Sequence, residues 1–358
     1  MRELSSIFVL AFWTILSLFP QSPELSSRIE QYLVSQNHEN GFSGEVLVTK
    51  GNELFIKRKL EAPASLSGEV SPAEGRFPAG SIAEQFIAAA ILQLELAGQV
   101  RLGSSICDYI SDCPGEWKQI QIQHLLTHSS GLPSLHGVSP CVERAPSEPS
   151  AVIAMLSGKP LHFEPGNRFD LNSLDYFFLS AVIEKISGQS TSEYLEQHIF
   201  HPLNLAQTGY WVSASQQKVR GTQTETGCTQ GELPANPAHS PFSGELYTSI
   251  DDLNRWLHVL LTDKFLPKNS LNQMYTPYIE GHAFGWKILK EFDRRVAVQN
   301  NESDSNSVSI RIYPDDETCI IVVSRAHEVA ASGLSHELGA LLFAKRNRVS
   351  SSSKGRVI

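Results

Sequence analysis

Apolar positions recur along the chain with two periods. "LSSRIEQYLVS" (25–35) sets Ile29, Tyr32 and Leu33 at helical spacing behind serines able to cap a helix. "GFSGEVLVTKGNELFIKRKL" (41–60) reads as two short strands joined by a Gly-Asn turn, a hairpin signal. Pro, Gly and Ser dominate 61–76, which reads as loop. The strongest helical segment, 81–97, is apolar almost all round, so it belongs at the centre of the fold. Helical patterns follow at 119–127, 148–157 and 173–187, and "DDLNRWLHVLL" (251–261) is amphipathic. The period then changes: "FGWKILKEF", "RRVAVQ", "SVSIRIYP" and "ETCIIVVSR" are strand-like runs at short intervals, with a helix near 333–345 after them. An early hairpin, a helical middle and late strands predict an α+β fold. An antiparallel sheet joins the two ends of the chain, and the middle is inserted as an all-helical lobe.

Composition narrows the classes of function. The 358 residues, 41% of them hydrophobic, are enough for a sizeable core. Lys and Arg number 29 against 38 Asp and Glu, a formal net charge of −9, which gives no support for a nucleic-acid partner. Residues 346–358 are polar, basic and without period, and read as a disordered tail. At the other end, residues 1–22 carry an apolar run from Ile7 to Phe19 followed by Pro20. That run is short for a bilayer span and suits a secretory signal or N-terminal anchor, so export to the periplasm or medium is expected, with no stable membrane span beyond it. Of five cysteines, Cys107 and Cys113 are near enough in sequence to bridge in an exported chain, and an odd thiol remains.

No glycine-rich phosphate loop or dinucleotide fingerprint occurs, and no cofactor is expected. His124 and His128 in "HLLTHSSGLP" are four apart and could share a helix face, but the glutamate of a zinc-binding H-E-x-x-H helix is absent and no third ligand is indicated. They read as structural histidines with ring nitrogens bonded to backbone, and no metal is expected. Asp175, Asp251 and Asp252 fall at helix starts, where carboxylates complement the dipole. His282 reads as a loop residue, and Trp211, Trp256 and Trp286 as core or cleft-lining aromatics.

The central helix opens with "FPAGSIAEQF", in which Glu84 stands three positions after Ser81. Ser-x-x-Glu is the capping-box pattern, serine accepting from a first-turn amide and glutamate reaching back to the serine N–H. The same serine could instead be a nucleophile with Glu84 as its base. Both roles draw on the same side chains.

In their order along the chain, "FSGEVLV", "AAAILQLELAGQVRL", "IQIQHLLTHSSGLPS", "FEPGNRF", "YLEQHIFHPLNLAQTGY" and "ELYTSIDDLNRWL" resemble segments of the serine β-lactamase and penicillin-binding-protein superfamily, in particular its class C and esterase-like branch. The resemblance implies one domain over 25–345: an α/β part (25–80 and 246–345), a helical lobe (about 81–245) and a cleft between them. It also implies three catalytic elements: Ser-x-x-Lys, Tyr-x-Asn, and a Lys-Thr-Gly or His-x-Gly strand. Ser81 falls at the nucleophile position, with Glu84 where the lysine would stand. Leu171, Asn172 and Ser173 fall on the second element, or Asp170, Leu171 and Asn172 if the register slips by one. Leucine can neither donate nor accept a proton, and the segment otherwise reads as a loop leading into a helix, Leu171 inward and Asn172 or Ser173 capping. Gln299, Asn300 and Asn301 fall on the third, with neither glycine nor base, and read as a polar hairpin loop.

All three elements depart together. At about 4 Å and an effective dielectric of ~20, reversing the charge at position 84 turns roughly 4 kcal/mol of attraction for a forming alkoxide into repulsion. A cation from elsewhere, such as Lys118 or Arg168, could compensate. The expectation is a catalytically impaired member that holds a small-molecule or peptide ligand, peptidoglycan-like or β-lactam-like, without turnover. Two alternatives stay open: a divergent serine hydrolase using Ser81, and a structural or interaction protein that does not use the cleft.

Overall fold

A computed structural model of the chain describes residues 23–51, 53–61, 75–134, 148–211, 246–302, 306–325 and 329–343. The expected export segment (1–22), the tail (346–358), Cys141 and Cys228 lie outside the described residues.

Helix α1 (Pro23–Asn40) leads into the hairpin β1 (Gly44–Lys50) and β2 (Glu53–Leu60). A short strand β3 (Arg76–Pro78) and a 3-10 turn (Gly80–Ile82) then deliver the chain into α2 (Ala83–Leu96). The helical part continues with α3 (Ile122–Leu126), α4 (Pro149–Leu156), α5 (Ser173–Ser187) and α6 (Thr191–Leu195). Strands β4 (Gly209–Tyr210) and β5 (Leu246–Ser249) form a small sheet with β3, order β3-β5-β4. Two more helices, α7 (Ile250–Leu260) and α8 (Lys268–Met274), precede the late strands. These are β6 (His282–Ala283), β7 (Trp286–Glu291), β8 (Arg294–Glu302), β9 (Ser307–Tyr313) and β10 (Thr318–Ser324), followed by α9 (Ala331–Phe343).

The large sheet has seven strands in the order β2-β1-β10-β9-β8-β7-β6, and every pairing is antiparallel. The terminal hairpin thus joins the late strands through β1 and β10, Gly44 opposite Ser324 and Lys50 opposite Thr318. Alternation along the strands splits the core in two. One face, with Leu47, Ala297, Ile310, Ile312 and Ile321, packs with α2, α5 and α7. The other, with Val46, Val48, Val298, Ile320 and Val322, packs against Ile29 and Leu33 of α1 and Leu334 and Leu338 of α9.

Helix α2 explains its own all-apolar sequence. Every residue from Phe86 to Leu92 is fully buried, so no solvent-facing stripe exists to carry charge. Its indole-lined end is tied by Trp256 Nε1, which donates to Gln85 Oε1 at 3.0 Å. The two expected cysteines, Cys107 and Cys113, form a disulfide, and Cys319 is a buried free thiol.

Candidate active site

The first turn of α2 meets β8 edge to end, and this junction holds most of the predicted site residues. β8 runs two to three residues beyond its apolar part because Asn300 and Asn301 pair with Ser309 and Val308 of β9. Gln299, Asn300 and Asn301 are therefore strand residues and not the hairpin loop expected from their polarity. Alternation sends Gln299 and Asn301 towards α2 and Asn300 towards α9, where Asn300 Oδ1 accepts from Ser309 Oγ at 2.7 Å.

Three hydrogen bonds zip this strand to Ser81, and a fourth reaches Glu84. Ser81 Oγ donates to the Asn300 carbonyl at 3.1 Å. Ser81 N donates to Asn301 Oδ1 at 3.3 Å. Gln299 Nε2 donates to the Ser81 carbonyl at 2.9 Å and to Glu84 Oε2 at 3.3 Å. The capping box is absent: Ser81 lies in the 3-10 turn, α2 has no side-chain cap, and Glu84 turns away from the Ser81 amide. The turn's own close contacts explain this, since an oxygen from β8 already takes the N–H that Glu84 would have capped.

Glu84 points instead at His128. The Nε2 to Oε1 distance is 3.5 Å, with no hydrogen bond closed at Nε2, so the contact is Coulombic. On the ring's other side Nδ1 lies 3.1 Å from Asp175 Oδ2, and Asp175 Oδ1 accepts from Ser130 Oγ at 2.5 Å. Burial alone would lower the pKa of His128. The Glu84 charge and the hydrogen bond to Asp175 outweigh it and push the imidazole up to about 10. His128 is thus an imidazolium at neutral pH, donating to Asp175 from Nδ1. Burial raises the Asp175 carboxyl, and its hydrogen bond from His128 acts the other way.

The cation that compensates Glu84 is therefore His128, not Lys118 or Arg168. Lys118 is exposed in a 3-10 turn, and the Arg168 guanidinium lies 4.6 Å from the centre of the Phe163 ring. At 3.5 Å and an effective dielectric of ~20 the attraction is roughly 5 kcal/mol, which holds Glu84 and His128 together as a pair. His124 behaves as expected, its Nδ1 accepting from the Gln121 backbone N–H at 3.2 Å. His128 does not: α3 ends at Leu126, His128 takes a left-handed φ of 50°, and both ring nitrogens face carboxylates rather than backbone. Asp175 likewise sits in the first turn of α5 but is fully buried against His128, so ion pairing governs it more than the helix dipole.

The second predicted element shares none of these hydrogen bonds. Asn172 caps α5, its Oδ1 accepting from Leu174 N at 3.1 Å, while its Nδ2 donates to the Leu132 carbonyl. Ser173 begins the helix and bonds nothing at the junction. Leu171 is 69% exposed, so it does not pack inward as expected. His282 lies in β6 rather than a loop and stacks on Phe169, ring centroids 3.5 Å apart. Burial, with the charges of Lys287 and His128, lowers its pKa to about 4, so it stays neutral. Trp256 and Trp286 are buried, and Trp211 is part-exposed beside Tyr247.

His128, Asp175 and Ser130 are the residues that the sequence did not mark for this site. A signal existed: Asp175 is the one carboxylate in the apolar run "LDYFFLSAVI", and a charge there needs a buried counter-charge. Among the described residues no group of three His, Cys, Asp or Glu side chains is arranged to hold a metal ion.

The Beta-lactamase family model matches residues 28–333. The chain belongs to the Beta-lactamase family. It is 24% identical over 262 residues to "Putative penicillin-binding protein PbpX" of Bacillus subtilis (strain 168), covering 70% of this chain and 62% of the relative. It is 23% identical over 322 residues to "Protein flp" of Staphylococcus aureus (strain N315), covering 85% of this chain and 63% of the relative. The chain thus spans less than two thirds of the length of these curated relatives. Among solved structures, an octameric penicillin-binding protein homologue from Pyrococcus abyssi superposes with a TM-score of 0.73 at 22% identity, covering 89% of this chain and 77% of that one. A β-lactamase/D-alanine carboxypeptidase from Yersinia pestis gives 0.72 at 19% identity, covering 90% and 99%. These likenesses establish the α+β fold of the Beta-lactamase family, in which Ser81 and Glu84 occupy the junction between sheet and helices.

Proposed function

We propose that this chain is a non-acylating member of its family, a binding protein built on a serine-hydrolase fold. The observation that carries the reading is the hydrogen bond from Ser81 Oγ to the Asn300 carbonyl. A nucleophilic serine needs a neighbour able to take its proton, and a backbone carbonyl cannot. Among the described residues no carboxylate, imidazole or amine is hydrogen-bonded to that oxygen. The nearest candidate base in sequence, Glu84, is committed to His128 and Gln299. Paired with His128, Glu84 brings no net positive charge to Ser81 that could stabilise an alkoxide.

On this reading the cleft's partner is a small-molecule or peptide ligand, penicillin-like as the relatives' names suggest, held without turnover. The same proposal places the chain outside the cytoplasm, in line with the Cys107–Cys113 disulfide and the apolar N-terminal run. No described helix is long and apolar enough to cross a membrane.

Intact-mass spectrometry after incubation with a fluorophosphonate and, separately, with benzylpenicillin tests the proposal. Wild type and Ser81→Ala are expected to show the same unmodified mass. A Ser81-dependent mass increase in wild type would overturn the reading and establish a divergent serine hydrolase.

A further inference from the structure

The geometry points to Asn301 as an internal ligand, its side-chain carbonyl oxygen filling the place at Ser81 N–H that the carbonyl or oxyanion of an acyl ligand would take. The inference rests on the cleft being catalytically degenerate and says how the cleft is closed. Acyl transfer by serine requires N–H donors aimed at the oxygen that gains charge, and the amides at a helix N-terminus are suited to that role. Here the amide of the residue that would be the nucleophile is already used. Asn301 Oδ1 is the acceptor that the structure places on it, at 3.3 Å. Helical geometry offers that N–H nothing else, because the turn's first intra-turn bonds come from Ile82 N to Ala79 and from Ala83 N to Gly80 and Ser81.

Packing independently places the Asn301 side chain hard against the turn. A Cβ built on Gly80 would collide with the Asn301 carboxamide, so the side chain occupies the space directly over the Gly80–Ser81 peptide. Gly80 has a φ of 53°, a conformation that glycine adopts without strain, and its bare Cα lets the carboxamide approach. Two neighbours fix the plug: Gln299 holds the Ser81 carbonyl and Asn300 the Ser81 hydroxyl, so all three polar groups of Ser81 are bound by consecutive residues of one strand. A carboxamide is a neutral stand-in for the amide of a peptide or lactam. A penicillin-like ligand held in this cleft therefore does not seat its carbonyl at Ser81, whatever the charge at position 84.

The test is amide hydrogen exchange at Ser81, read by NMR in wild type, Asn301→Ala and Asn301→Asp. Asn301→Ala is expected to speed exchange of the Ser81 amide by roughly ten-fold or more, with the amides of Ile87–Leu92 unchanged as a control for folding. Asn301→Asp, which keeps an oxygen in place, is expected to retain the wild-type rate. Equal Ser81 exchange in Asn301→Ala and wild type would overturn the inference, as would Asn301→Asp exchanging as fast as Asn301→Ala. Neither result depends on whether the wild-type chain labels with a fluorophosphonate, so failure of the plug and failure of the non-acylating reading remain separate.

Discussion

Two buried ionic clusters face each other through the large sheet, and they hold their charge in different ways. On the α9 side Arg311 reaches Glu291 with its Nε at 3.3 Å, and its Nη1 donates to Ser309 Oγ and Ser335 Oγ. Glu291 also accepts from Tyr313 at 3.1 Å, and half-exposed His336 lies 3.3 Å from it. On the α2 side the cation is His128, set between Glu84 and Asp175. Asn300 joins the two, its side chain bonded to Ser309 and its carbonyl to Ser81. A guanidinium stays charged at every pH the protein survives, whereas an imidazolium is charged only while its surroundings keep it so. The first cluster is a permanent brace. The second is a charge balance made necessary by one residue, Glu84.

Substitution of either cation gives the largest effects. His128→Leu strands two carboxylates in the interior and is expected to cost about 3–5 kcal/mol in urea-unfolding free energy. Arg311→Met strands Glu291 and is expected to fall in the same range at neutral pH. If His128→Leu leaves stability unchanged, Glu84 and Asp175 are not relying on the imidazolium.

Raising the pH separates the two clusters. The folded pKa of His128 is about 10 against 6.5 unfolded, so its contribution is complete below pH 6.5 and is lost as pH rises towards 10. Asp175, raised from 3.8 chiefly by burial, works in the same direction at lower pH. Tyr176 and His282 also face the imidazole, but the first is pushed further up and the second is neutral, so neither titrates between pH 6.5 and 10. The cost of His128→Leu should therefore shrink by a few kcal/mol between pH 6.5 and 10, while that of Arg311→Met holds. Parallel pH profiles for the two variants would contradict the assignment of charge.

The smallest effect belongs to Leu171. Because its side chain is 69% exposed, Leu171→Tyr should change stability by less than about 0.5 kcal/mol. It should not by itself produce a fluorophosphonate adduct, since it restores no base at Ser81.

Much of the fold was legible because hydrophobic period and strand length carried it. The hairpin, the buried α2, the late strands and α9 all fall where the apolar pattern puts them, within two or three residues at their ends. The end of β8 was not legible. "QNNE" has the composition of a loop, and only its pairing with β9 makes it strand. The site was half legible. Local sequence marked Ser81 and Glu84 as the positions of interest, and Asn172 as a cap. Its partners could not be read that way, because each is set by tertiary contact: Asn300 and Asn301 lie some 220 residues from Ser81, and Asp175 lies 47 from His128. Lys118 and Arg168, the cations that local sequence offers to balance Glu84, are long side chains that stay in solvent. The ring that balances it sits in "HLLTHSSGLP", where a histidine reads as structural until its spatial neighbours are known.

The most direct test is the protonation state of His128, read from its ring 15N shifts by NMR in wild type and Glu84→Gln at pH 8. The expected result is an imidazolium in wild type, both nitrogens protonated, and a lower pKa in Glu84→Gln. A neutral His128 in wild type at pH 8 would contradict it, leaving the charge at position 84 without its partner.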